Sequence, residues 1–197
     1  MGRRQTLHTP RAHFNFYNTL KKHSNHMSNM RNNFDAPAFL LEGCAIDPLL
    51  DDQQFAKLVT RLVFGHQIIV YVTNLTLQDI DAVPNNTRRA QLRATIEALK
   101  PKNVGVPAVL ISEGSKHGRP TYPGETYPVS KEDYELLTRL KVDDRADARQ
   151  ALAAKWYYAT LVTNDKRLVR RATNEGIRAV TTTEWHALLG EIWSLKG

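Results

Sequence analysis

Residues 142–165 constrain the fold most, because acidic residues precede a helix there and a further acid follows a short apolar strand. Beyond Asp147 the apolar side chains recur at the spacing of one helical face, which predicts a helix with one buried side. These side chains are Ala148, Ala151, Leu152, Trp156 and Ala159. Residues 161–163 then predict a short buried strand, and Asp165 lies just past its carboxyl end. In an open α/β sheet, that edge is where ligands bind.

The acids of this stretch predict a cation between them. Asp143 and Asp144 lie four and three residues before Asp147, hence on a neighbouring turn near the helix start. Carboxylates that converge on one edge repel one another unless something positive lies between them, and a hard divalent cation commonly fills that place. Acids also cap helix N-termini, so each Asp taken alone has an ordinary structural explanation. The set taken together indicates a metal site.

The rest of the chain alternates between strand and helix, which predicts an α/β fold with a parallel sheet between two helical layers. Before residue 100 the predicted elements are a strand over 38–46 with Gly43 at a bulge and Asp47 at its end, a helix over 51–64 capped by Asp51, a β-branched strand over 68–72, a helix capped by Thr73 or Asn74, and a helix from Thr87. Later elements are a helix opened by Ser130, a helix after Asp165 that ends at Gly176, a strand over 177–181 and a final helix with a Thr181–Glu184 capping box.

Residues 101–129 interrupt this alternation. A short apolar run at 106–111 is compatible with one more buried strand, but the residues after it are rich in Gly and Pro and predict an inserted loop. The loop mixes basic and aromatic side chains, a composition that suits single-stranded nucleic acid. A surface insertion with no binding role explains the same composition.

The net charge of +7 is concentrated at the amino terminus. Residues 1–33 hold six basic residues and no acid, whereas the remaining chain holds 21 basic and 20 acidic residues. Residues 1–36 are rich in Asn, His and Ser and lack an apolar period, which predicts a disordered basic arm ahead of a folded domain over 37–197. Such an arm is either a solvated tail or a segment that seeks nucleic acid by charge.

Composition excludes several classes of protein. The single cysteine, Cys44, permits no disulfide within the chain and argues against a cysteine-based zinc site. No apolar run approaches the length of a membrane span, and no signal-peptide pattern opens the chain. We therefore expect a cytoplasmic protein without membrane contact.

The carboxyl-terminal third, DARQALAAKWYYATLVTNDKRLVRRATNEGIRAVTTTEW, resembles the end of a PIN domain. Its order matches: an Asp that opens a helix, an Ala-rich helix, a strand ending Leu-Val-Thr, and then Asp. Upstream, CAID resembles the strand that ends in the family's first acid, and VTNLTLQDI resembles its second acidic segment. The resemblance implies that Asp47, Asp79, Asp147 and Asp165 hold Mg²⁺ or Mn²⁺, with Thr163 as the hydroxyl residue beside the last acid.

The resemblance further implies a metal-dependent nuclease that cuts single-stranded RNA, related to VapC-type toxins. The expected partners are RNA more than DNA, an antitoxin or another protein regulator, and a second copy of the chain. Asp47 is followed by Pro48 and Leu49, whereas a hydroxyl residue is common after the first acid of PIN domains. A catalytically inactive PIN-like module that binds nucleic acid or protein is the main alternative. A phosphatase of the haloacid dehalogenase type is disfavoured, because Leu49 stands where it needs a second Asp, and no residue set supports a receiver domain.

Overall fold

The computed structural model describes residues 36–108, 127–128, 130–140 and 145–194. The predicted arm, most of the predicted loop, and Asp143 and Asp144 lie outside the described residues. Seven strands are present in the described part: β1 (Ala38–Leu41), β2 (Ile69–Thr73), β3 (Lys102–Val104), β4 (Pro107–Ala108), β5 (Tyr127–Pro128), β6 (Thr160–Val162) and β7 (Ala179–Val180).

Eight α-helices connect or follow these strands in the described part of the chain. They are α1 (Asp47–Asp51), α2 (Gln53–Phe64), α3 (Asn74–Asp81), α4 (Asn86–Leu99), α5 (Lys131–Leu140), α6 (Arg145–Trp156), α7 (Lys166–Asn174) and α8 (Thr182–Ser194). A short 3-10 helix, Gly43–Ala45, lies between β1 and α1. No helix within these described ranges is long and apolar enough to span a membrane.

Five strands form one parallel sheet in the order β3-β2-β1-β6-β7, and β4 pairs with β5 separately. Helices cover both faces of this sheet. On one face, side chains of α1, α2, α4 and α8 form a core with alternate residues of β1 and β2. On the other face, side chains of α5, α6 and α7 pack against the remaining residues of β1 and β6. The predicted three-layer α/β/α architecture is confirmed.

Local capping signals determine several of the observed helix ends. Thr73 and Thr76 form a capping box at the start of α3, as the sequence indicates for Thr73. Helix α2 is capped by Asp52, whose carboxylate accepts from two backbone N–H groups, and not by Asp51. Thr181 and Glu184 exchange hydrogen bonds at the start of α8, which confirms the predicted box.

Two predicted strands differ from the observed ones. The strand predicted over 38–46 ends at Leu41, because Ala45 and Ile46 bury their side chains from the 3-10 helix and the residue before α1. Within the segment predicted as an insertion over 101–129, Lys102–Val104 forms the edge strand of the sheet. Of the apolar run at 106–111, the structure describes residues 106–108, in which Pro107–Ala108 is strand. Edge strands tolerate exposed Lys and Asn, so β3 carries no apolar period for the sequence to reveal.

Candidate active site

Glu42 lies directly after β1, the central strand of the sheet. Its backbone N–H donates to the carbonyl of Val162 in β6 at 3.1 Å, which fixes the residue at the end of the ladder. The residue is only 6% exposed, and its carboxylate accepts hydrogen bonds from the hydroxyl of Thr163 and, at 3.2 Å, from the thiol of Cys44. A nearly buried carboxylate therefore stands at the edge where ligands bind in open α/β sheets.

Asp79 approaches the same turn from helix α3. A Cβ built on Gly43 would lie 2.7 Å from the Cβ of Asp79 and 2.8 Å from one of its carboxylate oxygens. A real Cβ cannot come that close to another side chain. Only glycine, which has no Cβ, therefore allows Asp79 to approach the backbone here. Gly43, the residue after Glu42, thus leaves room for Asp79 beside it. Gly43 does not form the bulge that the sequence suggests.

The turn after β6 supplies Thr163 and Asp165. The hydroxyl oxygen of the fully buried Thr163 accepts from the backbone N–H of Asp165 at 3.0 Å, while its proton is donated to Glu42. Asp165 also caps α7, because one carboxylate oxygen accepts the N–H groups of Arg167 at 2.7 Å and Leu168 at 3.2 Å. Asp165 is therefore a helix cap. It also lies two residues after Thr163, just past the end of β6.

Asn164 and Cys44 tie the turns after β1 and β6 together. The Asn164 amide donates to the carbonyl of Cys44 at 3.1 Å and accepts from the hydroxyl of Thr182 at 2.6 Å, while its backbone N–H donates to the Cys44 sulfur at 3.1 Å. Burial, and then the charge of Glu42, raise the pKa of the Cys44 thiol to about 11. The thiol stays protonated at neutral pH, so it serves as a donor to Glu42 and is a poor nucleophile.

Asp147 lies in the first turn of α6, three residues before Gln150 and therefore on the same side of the helix. Gln150 is fully buried, and its side-chain oxygen lies 3.3 Å from the hydroxyl of Thr76. That hydroxyl donates to the carbonyl of Leu41 at 2.8 Å. Among the described residues the amide nitrogen of Gln150 has no hydrogen-bond partner. Helix α6 thus approaches the end of β1 through Gln150, and Asp147 lies about one turn before Gln150 on that helix.

Asp47, which the sequence places at the end of the first strand, begins α1 instead. Its half-exposed carboxylate accepts from the Arg88 guanidinium of α4 at 2.5 and 3.0 Å, and the same guanidinium reaches Asp51 at 3.2 Å. The expectation that Asp47 ends the strand is therefore wrong, and the strand-end acid is Glu42. Apolar residues that continue beyond Gly43 into a helix caused the error, because burial in a strand and burial in a helix give similar short patterns.

Asp79 and Asp81 differ as helical geometry predicts for residues two positions apart. The carboxylate of Asp81 accepts from the Arg93 side chain of α4 at 2.7 Å. Asp79 instead lies against Gly43, beside the cluster at the end of β1. Asp81 thus joins two helices, whereas Asp79 lies at the ligand-binding edge.

Comparison with solved structures identifies this arrangement of helices and strands. The crystal structure of PAE2754 from Pyrobaculum aerophilum matches with a TM-score of 0.50 and 13% identity, covering 79% of this chain and 96% of that one. The PilT N-terminus domain protein SSO1118 from Sulfolobus solfataricus P2 matches more loosely, with a TM-score of 0.41 and 13% identity over 77% of this chain and 92% of that one. The fold is PIN-like. No family model and no curated protein matches the sequence.

The donor atoms at this edge of the sheet suit a hard divalent cation, because carboxylate and hydroxyl oxygens favour Mg²⁺ or Mn²⁺ over zinc. The structure does not gather the four predicted carboxylates: among the residues it describes, no three His, Cys, Asp or Glu side chains form a group that could hold a metal ion. Mg²⁺ keeps several waters and is commonly held by one or two carboxylates plus substrate phosphates. Glu42, and Asp79 beside the neighbouring Gly43, fit that mode.

Sequence reasoning missed Glu42, Cys44, Asn164 and Gln150 as members of this site. One signal for Glu42 was present, since it follows four consecutive apolar or small residues and is the first acid after them. Nothing in the sequence marks Asn164 or Gln150, because their roles depend on contacts with residues more than 70 positions away. Thr163 was recognised from the resemblance, and the structure gives it a partner in Glu42.

Proposed function

We propose that this protein is a metal-dependent nuclease that hydrolyses phosphodiester bonds in single-stranded RNA. Its active site comprises Glu42, Asp79, Asp147 and Asp165, with Thr163 as the hydroxyl residue that orients Glu42. Glu42 takes the place that the sequence assigned to Asp47, whose carboxylate is bound by Arg88.

One observation supports this proposal above the others, namely the buried Glu42 carboxylate at the end of the central strand. Burying a carboxylate costs free energy unless hydrogen bonds or charges compensate. Here the hydroxyl of Thr163 and the thiol of Cys44 hold the group in place, and Gly43 admits a second carboxylate, that of Asp79, to the same turn. A pair of acids held at a ligand-binding edge suits cation binding better than it suits stability.

The chemistry assigned to these side chains is in-line hydrolysis without a covalent intermediate. A water oxygen forms a bond to phosphorus, the bond from phosphorus to the leaving sugar oxygen breaks, and the water's proton passes to solvent or to a nearby carboxylate. We assign to the exposed Asp79 the role of accepting a hydrogen bond from that water, while Glu42 stays fixed by Thr163. A bound Mg²⁺ or Mn²⁺ would lower the pKa of the attacking water and offset charge on the phosphate.

The test measures cleavage of labelled single-stranded RNA and DNA with Mg²⁺, with Mn²⁺ and with EDTA. Asp79→Asn should reduce single-turnover cleavage at least about 100-fold, which corresponds to ~2.7 kcal/mol of transition-state stabilisation. Asp81→Asn is the matched control, because it changes the same residue type two positions away and breaks only the ion pair with Arg93. Equal losses in the two variants, or full cleavage in EDTA, would contradict the proposal.

A second candidate function, binding without cleavage, is favoured by one specific observation. No three metal-binding side chains of the described residues form a group that could hold a cation. A binding module predicts that the wild-type protein retains labelled RNA in EDTA and leaves it intact in Mn²⁺. For a binding module, Asp79→Asn should bind RNA as the wild type does and should also leave it intact. A nuclease would instead lose cleavage in this variant.

A further inference from the structure

Helix α7 presents a basic face to solvent. Leu168 and Ala172 are fully buried against the sheet, whereas Lys166, Arg167 and Arg170 are exposed. At about 100° per residue, Lys166 and Arg170 lie about 40° apart on the side away from the buried residues. The helix therefore carries three positive charges on its solvent-exposed side.

Within the described ranges, neither Lys166, Arg167 nor Arg170 forms an ion pair. Arg171, the remaining basic residue of α7, differs because it donates to the carbonyl of Leu140 at 3.3 Å. With no acidic partner among the described residues, these side chains remain available for an external anion.

The basic face begins at the proposed active site. Asp165 caps α7, its backbone N–H donates to Thr163, and Thr163 donates to Glu42. Lys166 and Arg167 therefore lie in the first turn of a helix that starts at the proposed active site. From there the helix runs on for nine residues, a length of about 13 Å.

We propose that the exposed face of α7, formed by Lys166, Arg167 and Arg170, binds the phosphate backbone of a single-stranded nucleic acid and leads it to the carboxylates. The choice of the carboxylates as the place to which the strand is led rests on the proposed nuclease function. Carboxylates at the site repel phosphates, so an adjacent row of cations offsets that repulsion where the strand enters. Arginine side chains bind phosphate oxygens in pairs, which suits a backbone with no fixed sequence.

The chain offers a matched control for this surface. Lys57 and Arg61 in α2 are also an exposed Lys–Arg pair four residues apart, without an ion pair in the described part of the chain. They line a groove between α2 and α4 on the opposite face of the sheet. Lys166→Gln/Arg170→Gln and Lys57→Gln/Arg61→Gln therefore remove the same charges with the same spacing from the full-length protein.

The experiment measures binding of a short fluorescein-labelled single-stranded RNA by anisotropy across a salt series in EDTA, where no metal-dependent cleavage occurs. Each lost phosphate contact changes the slope of log K against log salt by about 0.7. The α7 double variant should flatten the slope by up to about 1.4 and weaken binding roughly tenfold at low salt. The α2 double variant should match wild type.

The outcomes separate this surface from the nuclease proposal. Equal flattening by both double variants, no flattening by the α7 pair, or no salt-dependent binding by wild type would each overturn the α7 assignment. If the α7 pair alone flattens the slope while wild type cleaves no RNA in Mn²⁺, the binding surface stands and the nuclease function fails. If wild type cleaves, the α7 pair should raise KM and leave kcat unchanged, because it removes binding outside the reacting atoms.

Discussion

Helices α4 and α7 are both rich in arginine, but their cations have different surroundings. In α4, Arg88 bonds to Asp47 and Asp51, Arg93 bonds to Asp81, and Arg89 donates to the carbonyl of Val83 at 2.9 Å. These contacts tie α4 to α1, to the end of α3 and to the loop after it. The hydrogen bonds to the aspartates raise the pKa of both Arg88 and Arg93.

In α7 the exposed basic residues have no such acidic partners among the described residues, and the helix begins at the proposed active site. The comparison shows that the number of arginines on a helix says little about its role. What matters is whether neighbouring elements place acids opposite the helix, as α1 and α3 do for α4. We therefore expect substitutions in α4 to affect stability and substitutions in α7 to affect binding.

The largest expected effect concerns the residue at which α7 meets the site. Asp165→Asn keeps a good helix cap, since Asn and Asp are comparable at that position, but removes the charge. Cleavage should fall at least about 100-fold with little change in melting temperature. Asp165→Ala should lose the same activity and in addition about 1 kcal/mol of stability, measured by chemical denaturation. Wild-type turnover in Asp165→Asn at saturating Mn²⁺ would show that this acid only caps the helix.

A crossed pair of variants tests the comparison itself. Arg88→Ala leaves Asp47 and Asp51 without their shared cation, so it should lower the melting temperature and leave RNA binding unchanged. Lys166→Gln/Arg170→Gln should weaken RNA binding and leave the melting temperature unchanged. Thermal unfolding and anisotropy on the same preparations measure both properties. If Arg88→Ala weakened binding as much as the α7 pair, the division of roles between the two helices would be wrong.

A smaller contrast concerns how helices α6 and α7 end. Helix α7 is followed by Gly176 with φ 75°, whereas α6 is followed by Tyr158 with φ 50° and a side chain that is 83% exposed. Left-handed backbone costs roughly 1 kcal/mol for residues other than glycine. Tyr158→Gly should therefore raise the free energy of unfolding by about 0.5–1 kcal/mol, and Gly176→Ala should lower it by about 1 kcal/mol. Both variants keep the basic face of α7, so changed RNA binding in either would argue against assigning binding to that face.

Those parts of the fold that depend on local signals were predictable from the sequence. The β-branched run gave β2, Thr73 marked the start of α3, and the Thr181–Glu184 box marked α8. The Ala-rich stretch followed by Leu-Val-Thr gave α6 and β6 in the right order. Strand β3 was not predictable, because an edge strand of Lys, Asn and Val has no apolar period.

The candidate site was predictable only in part, because its members are joined by contacts across the chain. Arg88 lies 41 residues from Asp47, and no local pattern reveals that this cation binds the acid that the sequence favoured as a metal ligand. Glu42 and Thr163 are 121 residues apart, and only the parallel pairing of β1 with β6 brings them together. Position in the sheet, and not the type of residue, distinguishes Glu42 from Asp47.

The most direct test of the account compares Glu42→Gln with Asp47→Asn in single-turnover cleavage of labelled single-stranded RNA with Mn²⁺. Gln keeps the shape of Glu and can still accept from Thr163, so Glu42→Gln should fold normally and lose at least about 100-fold in rate. Asp47→Asn should stay within a few-fold of wild type, because that carboxylate serves Arg88. Near-normal cleavage by Glu42→Gln together with loss of cleavage in Asp47→Asn would contradict the assignment of the active site to the end of β1.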